Sequence, residues 1–225
     1  MDAETTPDSR LFGAPPFMVM LCGSKNSGKS QICRYAIRQY ALSFNDIVVI
    51  APTALNGFYQ TIMDASHIHD TYSDELIQSI MDKQAACKKA GKTRHTLIVL
   101  DDILAAPNVN FERRKASVLN TIFCANRHYL ISLVVIVQKM KGVPPLCRLN
   151  VDWVCFTRCM RSAWADIYEE YSGNVEKKEF YRMLEESTSE YKVLLYRSKV
   201  ARPSEHYSCF RIPAEFMARK FRLVF

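Results

Sequence analysis

The sequence predicts an α/β fold with a mostly parallel central sheet and helices on both of its faces. Short apolar runs that suit buried strands alternate with segments that have the periodicity of helices. Strands that alternate with helices form parallel sheets, because each connection must cross one face of the sheet. With 48% apolar and 24% charged residues, a chain of 225 residues can bury a sizeable core without covalent staples.

Six short apolar runs are predicted as strands. They span residues 17–22, 46–53, 96–100, 131–138, 151–157 and 191–196. Residues 207–212, where the alternation is less clear, are a candidate for a seventh strand. The first run, FMVMLC, leads into a glycine-containing loop, and Pro52 ends the second. These are the properties of strands buried on both faces of a parallel sheet.

Six segments are predicted as helices, at residues 30–43, 54–63, 73–90, 111–128, 161–171 and 176–187. The first of these carries one apolar stripe, formed by Ile32, Tyr35, Ala36 and Tyr40. Ser73 and Asp74 are candidate N-caps of the third helix, and Gly91 is its expected end.

The bulk composition favours an acidic partner and a reducing compartment. The formal net charge is +7 and the pI is about 9.0, which favours nucleic acid as the partner. Eight scattered cysteines are typical of free thiols, and the closest pair, Cys155 and Cys159, has no second pair at metal-site spacing. The N-terminus lacks a signal-peptide pattern, and no apolar run is long enough to span a bilayer. We therefore expect a soluble, intracellular protein.

The strongest motif follows the first predicted strand. GSKNSGKS matches GxxxxGK[ST] with Gly23, Gly28, Lys29 and Ser30. Loop N–H groups must curl around a phosphate there, Lys29 reaches the β- and γ-phosphates, and Ser30 ligates Mg²⁺. A chance match is the alternative, but this motif stands between a strand and an amphipathic helix, as its chemistry requires. The ATP-binding residues are therefore predicted to be Gly23, Ser24, Lys25, Asn26, Ser27, Gly28, Lys29 and Ser30.

Two carboxylates end the third predicted strand, LIVLDD. Asp101 is predicted to hold Mg²⁺ together with Ser30, and Asp102 to polarise the attacking water. A pair of acids that begins a turn is the alternative. A second acid beside the first favours hydrolysis over phosphate transfer to another substrate.

The fourth predicted strand ends in Gln138 and has an arginine on either side. Gln138 can contact the γ-phosphate or the lytic water, unless it is an ordinary solvent-facing glutamine. Arg127 and Arg148 are candidates for an arginine finger that reaches the γ-phosphate of a neighbouring subunit. Either arginine could equally be solvated or bind phosphate.

Basic residues are enriched in three regions and could follow a DNA backbone without reading its sequence. They are Arg113, Arg114, Lys115, Arg127 and His128, then Lys139, Lys141 and Arg148, and finally Lys177, Lys178 and Arg182. A solvated helix face remains the alternative for any one group. His67 and His69 form an HxH without accompanying carboxylates and are interpreted as loop residues.

The order of the motifs resembles that of the virion DNA-packaging ATPases of large DNA viruses, the poxvirus kind. These belong to the FtsK–HerA superfamily of P-loop motors. The motifs are GSKNSGKS, VVIAPT with Asn56 shortly after, LIVLDD, NRHYLISLVVIVQ and VPPLCRLNVDWV. The resemblance covers about residues 17–197, and its specific part is Arg127-His128 before the strand, Gln138 at its end, and then Arg148 and Asn150.

This resemblance implies a P-loop NTPase of the additional-strand, RecA-like type, in which one strand separates the P-loop strand from the strand of Asp101. It implies an ATP-driven, Mg²⁺-dependent motor that assembles as a homo-oligomeric ring and moves double-stranded DNA into a capsid. Viral capsid or membrane proteins at the packaging vertex are the further expected partners, at the virus assembly site and in the virion. It leaves open whether Arg127 or Arg148 is the finger.

The expected organisation is a flexible lead over residues 1–16 and a single P-loop ATPase domain over residues 17–225. Two other functions stay open at this point. A P-loop nucleotide or small-molecule kinase would transfer phosphate to an acceptor rather than release it. A non-catalytic ATP-binding module of capsid assembly would bind nucleotide without turnover.

Overall fold

The computed structural model describes residues 11–52, 57–103, 118–218 and 221–223. Within these ranges, eight strands form one sheet in the order β3-β2-β4-β5-β1-β6-β7-β8. The strands are β1 (Met18–Cys22), β2 (Asp46–Ile50), β3 (Ile68–His69), β4 (Thr96–Asp101), β5 (Ile131–Val137), β6 (Trp153–Phe156), β7 (Lys192–Arg197) and β8 (Tyr207–Arg211).

The helices lie on both sides of this sheet, and several short 3-10 turns connect them to the strands. They are α1 (Lys29–Gln39), α2 (Asp74–Lys89), α3 (Val118–Ala125), α4 (Pro145–Leu149), α5 (Trp164–Tyr171), α6 (Lys177–Ser187) and α7 (Ala214–Ala218). Ser73 caps α2 as predicted, since its side chain accepts a hydrogen bond from the backbone N–H of Leu76. Gly91 follows the end of α2 with a φ of 70°, a conformation that glycine adopts without strain.

The topology confirms the predicted fold class. β5 lies between β1 and β4 and pairs with both in parallel, so it is the additional strand. β7 pairs antiparallel with β6, and β8 antiparallel with β7, so the sheet is mostly rather than wholly parallel. Because these strands are parallel, their carboxyl ends lie at one edge of the sheet. The predicted phosphate-binding loop, the acidic pair and Gln138 all follow strands at this edge.

Both faces of the sheet are buried, which explains the nearly continuous apolar runs. Alternate residues of β1 belong to different core clusters, Met18 and Met20 to one and Val19 and Leu21 to the other. The predicted stripe of α1 packs into the second cluster, because Ile32, Tyr35, Ala36 and Tyr40 are all buried there. Helices thus cover both faces of the sheet, and its central strands are therefore apolar on both sides.

Three elements were not predicted. β3, α4 and α7 contain two to five residues, too few to produce a readable periodicity. In the predicted helix 54–63 the structure instead has a 3-10 turn at Tyr59–Thr61, and residues 53–56, with Asn56, lie outside the described ranges. Of the predicted helix 111–128, residues 118–125 form α3 and residues 126–128 form a turn, while Arg113, Arg114 and Lys115 lie outside the described ranges.

The core begins before the predicted domain start at Phe17. Leu11 and Phe12 are 8% and 2% exposed, and the ring of Phe12 stacks on Tyr40 with 6.3 Å between centroids. The predicted flexible lead is therefore wrong for this part, because an aromatic side chain gains more from burial than the prolines and Gly13 cost. Residues 1–10 of that lead lie outside the described ranges.

All eight cysteines are free, and Cys22, Cys33, Cys147 and Cys155 are buried. Cys155 is a core residue. The described residues contain no cluster of three acidic, histidine or cysteine side chains that could hold a metal. Among the described helices, none has the length and apolar character needed to cross a bilayer.

Candidate active site

The predicted phosphate-binding loop connects β1 to α1 at the carboxyl edge of the sheet. Asn26 and Gly28 have φ angles of 58° and 95°, so two residues of the loop are in the left-handed region. Gly28 is also the N-cap of α1. Alternation between left- and right-handed residues turns successive N–H groups toward one side, which is the backbone geometry that cradles an anion.

Neighbouring strands hold the start of the loop. The N–H of Gly23 donates to the carbonyl of Val137 (3.2 Å), and the N–H of Ser24 donates to the carbonyl of Arg158 (2.9 Å). A Cβ at Gly23 would lie 1.8 Å from Oγ1 of Thr157, so only glycine fits. Thr157 also lies 2.6 Å from Oγ of Ser27. Sequence reasoning missed Thr157, because nothing marks a threonine distant in the chain as a brace for this loop.

Lys29 lies at the centre of the loop and is 9% exposed. Its Nζ donates to the carbonyl oxygens of Gly23 and Ser24, both at 2.7 Å. Burial lowers the pKa of Lys29, and the nearby Asp101 and Asp102 oppose this effect. An ammonium held by the loop's own carbonyls is already in the position from which it can move to a bound phosphate.

Asp101 ends β4 and is 8% exposed. Its Oδ2 accepts a hydrogen bond of 2.6 Å from the hydroxyl of Tyr59. Burial raises the pKa of Asp101, and the Tyr59 hydrogen bond partly offsets this. Tyr59 was also missed by sequence reasoning, since it lies in a short turn whose approach to β4 is a tertiary contact. It orients the carboxylate that is predicted to ligate the metal.

Asp102 and Gln138 are brought together although 36 residues separate them in the chain. Nε2 of Gln138 donates to Oδ2 of Asp102 at 2.9 Å. Asp102 has a φ of 56°, and its N–H donates to the carbonyl of Ile136 at 3.1 Å. This left-handed turn directs the chain away from β4, so that Asp101 and Asp102, although adjacent, have different surroundings.

One cavity of about 540 Å³ brings together part of the predicted site, whereas Gly23, Ser24, Ser27 and Gly28 do not line it. It is lined by Lys25, Asn26, Lys29, Ser30, Phe58, Tyr59, Asp101, Asp102, Ile136 and Gln138. Ser30 and Asp101 supply a hydroxyl and a carboxylate, which are the hard oxygen ligands that Mg²⁺ prefers. Because Mg²⁺ usually takes only one or two protein ligands beside the substrate phosphates and water, this donor set fits the ion.

Arg127 lies at the opposite edge of the sheet. It precedes β5, and its guanidinium pairs with Asp152, which precedes β6 and also accepts from the N–H of Met18 at the start of β1. The five residues of β1 separate this edge from the P-loop by about 16 Å at roughly 3.3 Å per residue. Arg127 therefore does not reach the P-loop of the same chain.

Arg148 is held within the subunit. Its Nε donates to Oε1 of Glu170 at 2.8 Å, its NH1 donates to the carbonyl of Val143 at 2.7 Å, and its side chain is 12% exposed. The Arg127 side chain is 54% exposed. Of the two predicted candidates, Arg127 is thus the one that a neighbouring molecule can contact.

Some of the described basic residues have partners within the chain. Lys141 pairs with Asp166 at 2.6 Å, and the ammonium of Lys177 lies 5.6 Å from the centre of the Tyr181 ring. Lys139, Lys178, Arg182 and His128 are exposed. The DNA-binding role of these residues stays a prediction, as does the role of each residue in the catalytic cavity. His67 is in a 3-10 turn and His69 in β3 rather than in a loop.

We expect replacement of Asp102 and replacement of Asp101 to have different effects on ATP turnover and on Mg²⁺ dependence. Asp102→Asn should keep ATP bound and lower turnover by about a hundredfold or more, the scale of a lost general base. Asp101→Asn should instead raise the Mg²⁺ concentration needed for binding and turnover. The measurements are ATP affinity and phosphate release across a Mg²⁺ titration, with the exposed Asp82→Asn as control. A normal rate in Asp102→Asn would move the water-polarising role to another residue.

Three comparisons with known proteins bear on this site. The family model described as Poxvirus A32 protein matches residues 8–220. Uncharacterized protein 075L of Invertebrate iridescent virus 6 is 24% identical over 193 residues, which cover 84% of this chain and 73% of that protein. Uncharacterized protein L437 of Acanthamoeba polyphaga mimivirus is 31% identical over 149 residues, 62% of this chain and 51% of that protein. The chain thus spans between about half and three quarters of these relatives.

Solved structures support the fold. The genome packaging NTPase B204 from Sulfolobus turreted icosahedral virus 2, in complex with ATP-gammaS, has a TM-score of 0.65 at 17% identity, over 88% of this chain and 98% of that one. The pCW3 conjugation coupling protein TcpA, with ATPgS, has a TM-score of 0.60 at 14% identity, over 89% of this chain and 64% of that one. Similarity at this level establishes the P-loop α/β fold.

Proposed function

This chain belongs to the Poxvirus A32 protein family, and we propose that it is a DNA-packaging ATPase that moves double-stranded viral DNA into a capsid as a ring-shaped oligomer. The observation that carries the ATPase function is the cavity in which Lys29, Asp101, Asp102 and Gln138 converge. B204, which shares the fold at 17% identity, is a genome packaging NTPase.

Each step of hydrolysis has a residue suited to it. The loop N–H groups and Lys29 bind the β- and γ-phosphates, and Lys29 exchanges its carbonyl partners for phosphate oxygens. Asp102 accepts a hydrogen bond from the attacking water and turns it toward the γ-phosphorus. Gln138, which already donates to Asp102, holds that carboxylate in orientation. Ser30 and Asp101 would hold Mg²⁺, which when bound would neutralise charge on the phosphate oxygens.

The paired acids favour hydrolysis over the alternative of a kinase. Asp102 is fixed by Gln138 and by its own backbone hydrogen bond to Ile136. In a kinase, the hydroxyl group of the acceptor would occupy the position of the attacking water beside Asp102, and water would have to be excluded from it. The deciding experiment is ATP turnover with and without double-stranded DNA. Free phosphate whose release rises with DNA supports a motor, whereas a phosphorylated acceptor supports a kinase and binding without turnover supports an assembly module.

The ring completes the active site in this proposal. Arg127 is too far from its own P-loop, so it acts on the γ-phosphate of the neighbouring subunit. The partners are double-stranded DNA, further copies of the chain, and capsid or membrane proteins at the packaging vertex, at the virus assembly site and in the virion. We also propose that the P-loop ATPase forms a single domain, and that its activity in the longer relatives resides in the matching part.

Double-stranded DNA should bind without sequence preference and lose affinity steeply as salt rises. The net charge of +7 favours phosphate contacts, and each neutralised phosphate releases counterions. A ring that contacts several phosphates should give a slope of several units in a plot of log affinity against log salt, measured by fluorescence anisotropy with two unrelated duplexes. Affinity that ignores salt, or that differs strongly between the duplexes, would contradict a packaging channel.

A further inference from the structure

A second cavity, of about 320 Å³, lies on the other side of the P-loop from the catalytic cavity. Successive pairs of residues line different cavities. Ser27-Gly28 and Gln31-Ile32 line the second cavity, and Lys29-Ser30, between them, line the first. A ligand that lies across the loop therefore reaches both. We propose that the second cavity binds the purine base of the nucleotide and sets its base preference, an inference that rests on the proposed function.

The ring of Tyr191 forms one wall of this base cavity. A Cβ placed on Gly28 would lie 3.5 Å from Cδ1 of Tyr191, so the ring lies against the P-loop itself. Tyr191 is also 73% exposed, an unusual position for a large aromatic side chain. An exposed aromatic face beside the phosphate-binding loop provides a surface on which a base can stack.

The backbone holds Tyr191 in this position at a cost. Glu190 and Tyr191 have φ angles of 49° and 61°, so two consecutive residues with side chains adopt the left-handed region. Such conformations persist where the surrounding structure enforces them, and they cluster at ligand sites. The ion pair of Glu190 with Arg211, which also lines the cavity, is one such restraint, with 3.0 Å between Oε2 and NH2.

Gln31 provides a polar contact that suits adenine. Oε1 of Gln31 is buried and accepts no hydrogen bond from any residue that the structure describes. A buried oxygen without a donor is costly, and the 6-amino group of adenine is a donor. Guanine carries an oxygen acceptor at the same position. Ile32 and Met217, by contrast, give the cavity apolar walls that suit a flat base and not a phosphate.

The test compares ATP with inorganic tripolyphosphate, which shares the phosphates of ATP but has no base. Calorimetric affinities with Mg²⁺ would be measured on the full chain for the wild type, Tyr191→Ala and Tyr191→Phe. Tyr191→Ala should weaken ATP about tenfold, the scale of a lost base–aromatic stack, and leave tripolyphosphate unchanged. Tyr191→Phe should retain the affinity for ATP. Leu42→Ala, which removes a fully exposed apolar side chain that does not line the cavity, is the control that should change neither affinity.

Gln31→Leu tests the base preference with little change in volume. The wild type should bind ATP more tightly than GTP. In the variant the ratio of the ATP affinity to the GTP affinity should be severalfold smaller, while the affinity for tripolyphosphate stays unchanged. An unchanged ratio would overturn the role of Gln31.

The outcomes separate this inference from the proposed function. If Tyr191→Ala binds ATP as the wild type does, or loses ATP and tripolyphosphate equally, the base cavity is refuted while the phosphate site stands. If the wild type binds neither ATP nor tripolyphosphate, the ATPase proposal fails and the base cavity fails with it.

Discussion

Lys29→Ala should abolish ATP hydrolysis, with turnover lower by about a thousandfold, the upper scale for removal of one preorganised donor to developing charge. The physical reason is that, among the described residues that line the catalytic cavity, only Lys29 has a buried ammonium group. ATP affinity should fall by about tenfold to a hundredfold as well, since a hydrogen bond from a charged donor is lost. Both quantities are measured by phosphate release and by calorimetry.

The control for this variant is Lys92→Ala, which removes an exposed lysine from the loop before β4. It should leave turnover and affinity unchanged. Because Lys29 also satisfies the carbonyls of Gly23 and Ser24, the melting temperature of Lys29→Ala must be compared with that of the wild type. A folded Lys29→Ala protein that hydrolyses ATP at the normal rate would refute the P-loop assignment.

Arg127→Ala should leave ATP binding intact and lower turnover by about a thousandfold, the scale of a lost arginine finger. The exposed guanidinium lies at the edge of the sheet opposite its own P-loop, so any action on a γ-phosphate must cross a subunit interface. The substitution should be tolerated by the fold, because Nζ of Lys199 also pairs with Asp152, at 3.0 Å. Arg148→Ala should instead lower the melting temperature, since it breaks a mostly buried ion pair with Glu170.

Mixing two inactive variants separates action between subunits from action within one. Lys29→Ala supplies an intact Arg127, and Arg127→Ala supplies an intact P-loop. If the finger acts between subunits, some interfaces in the mixture pair both intact groups and turnover partly recovers. Arg161→Ala, which removes another ion-paired surface arginine, is the control that should stay active. Absence of recovery, or full activity in a dilute monomer, would reject the ring mechanism.

The sequence predicted most of the sheet, because its strands are buried on both faces and read as apolar runs. β1, β2, β5, β6 and β8 lie within segments predicted as strands, and β4 and β7 each extend one residue beyond theirs. The short elements β3, α4 and α7 were missed for lack of length. The burial of Leu11 and Phe12 was missed because it depends on contacts with Tyr40 and Phe17, which no local pattern reports.

The residues of the candidate site differ in how clearly the sequence marks them. The P-loop, the acidic pair and Gln138 carry local signals, since each stands where a strand ends. Tyr59 and Thr157 carry none. Their roles come from single contacts, the hydroxyl of Tyr59 on Asp101 and the approach of Thr157 to Gly23. Tyr191 was likewise seen only as the start of a strand, although its ring lies against Gly28.

The sequence by itself determined the fold class and the phosphate-binding chemistry of this protein. Both can be read from short contiguous segments of the sequence. In one segment a strand is followed by the glycine-containing loop and a helix, and in the other a strand is followed directly by the acidic pair. Only the tertiary structure decided which side chains lie together in the candidate site and which of the two arginines is exposed to a neighbouring molecule. Both depend on the order of strands in the sheet, which brings Gln138 beside Asp102 and places the ion pair of Arg127 and Asp152 at the end of β1 opposite the P-loop.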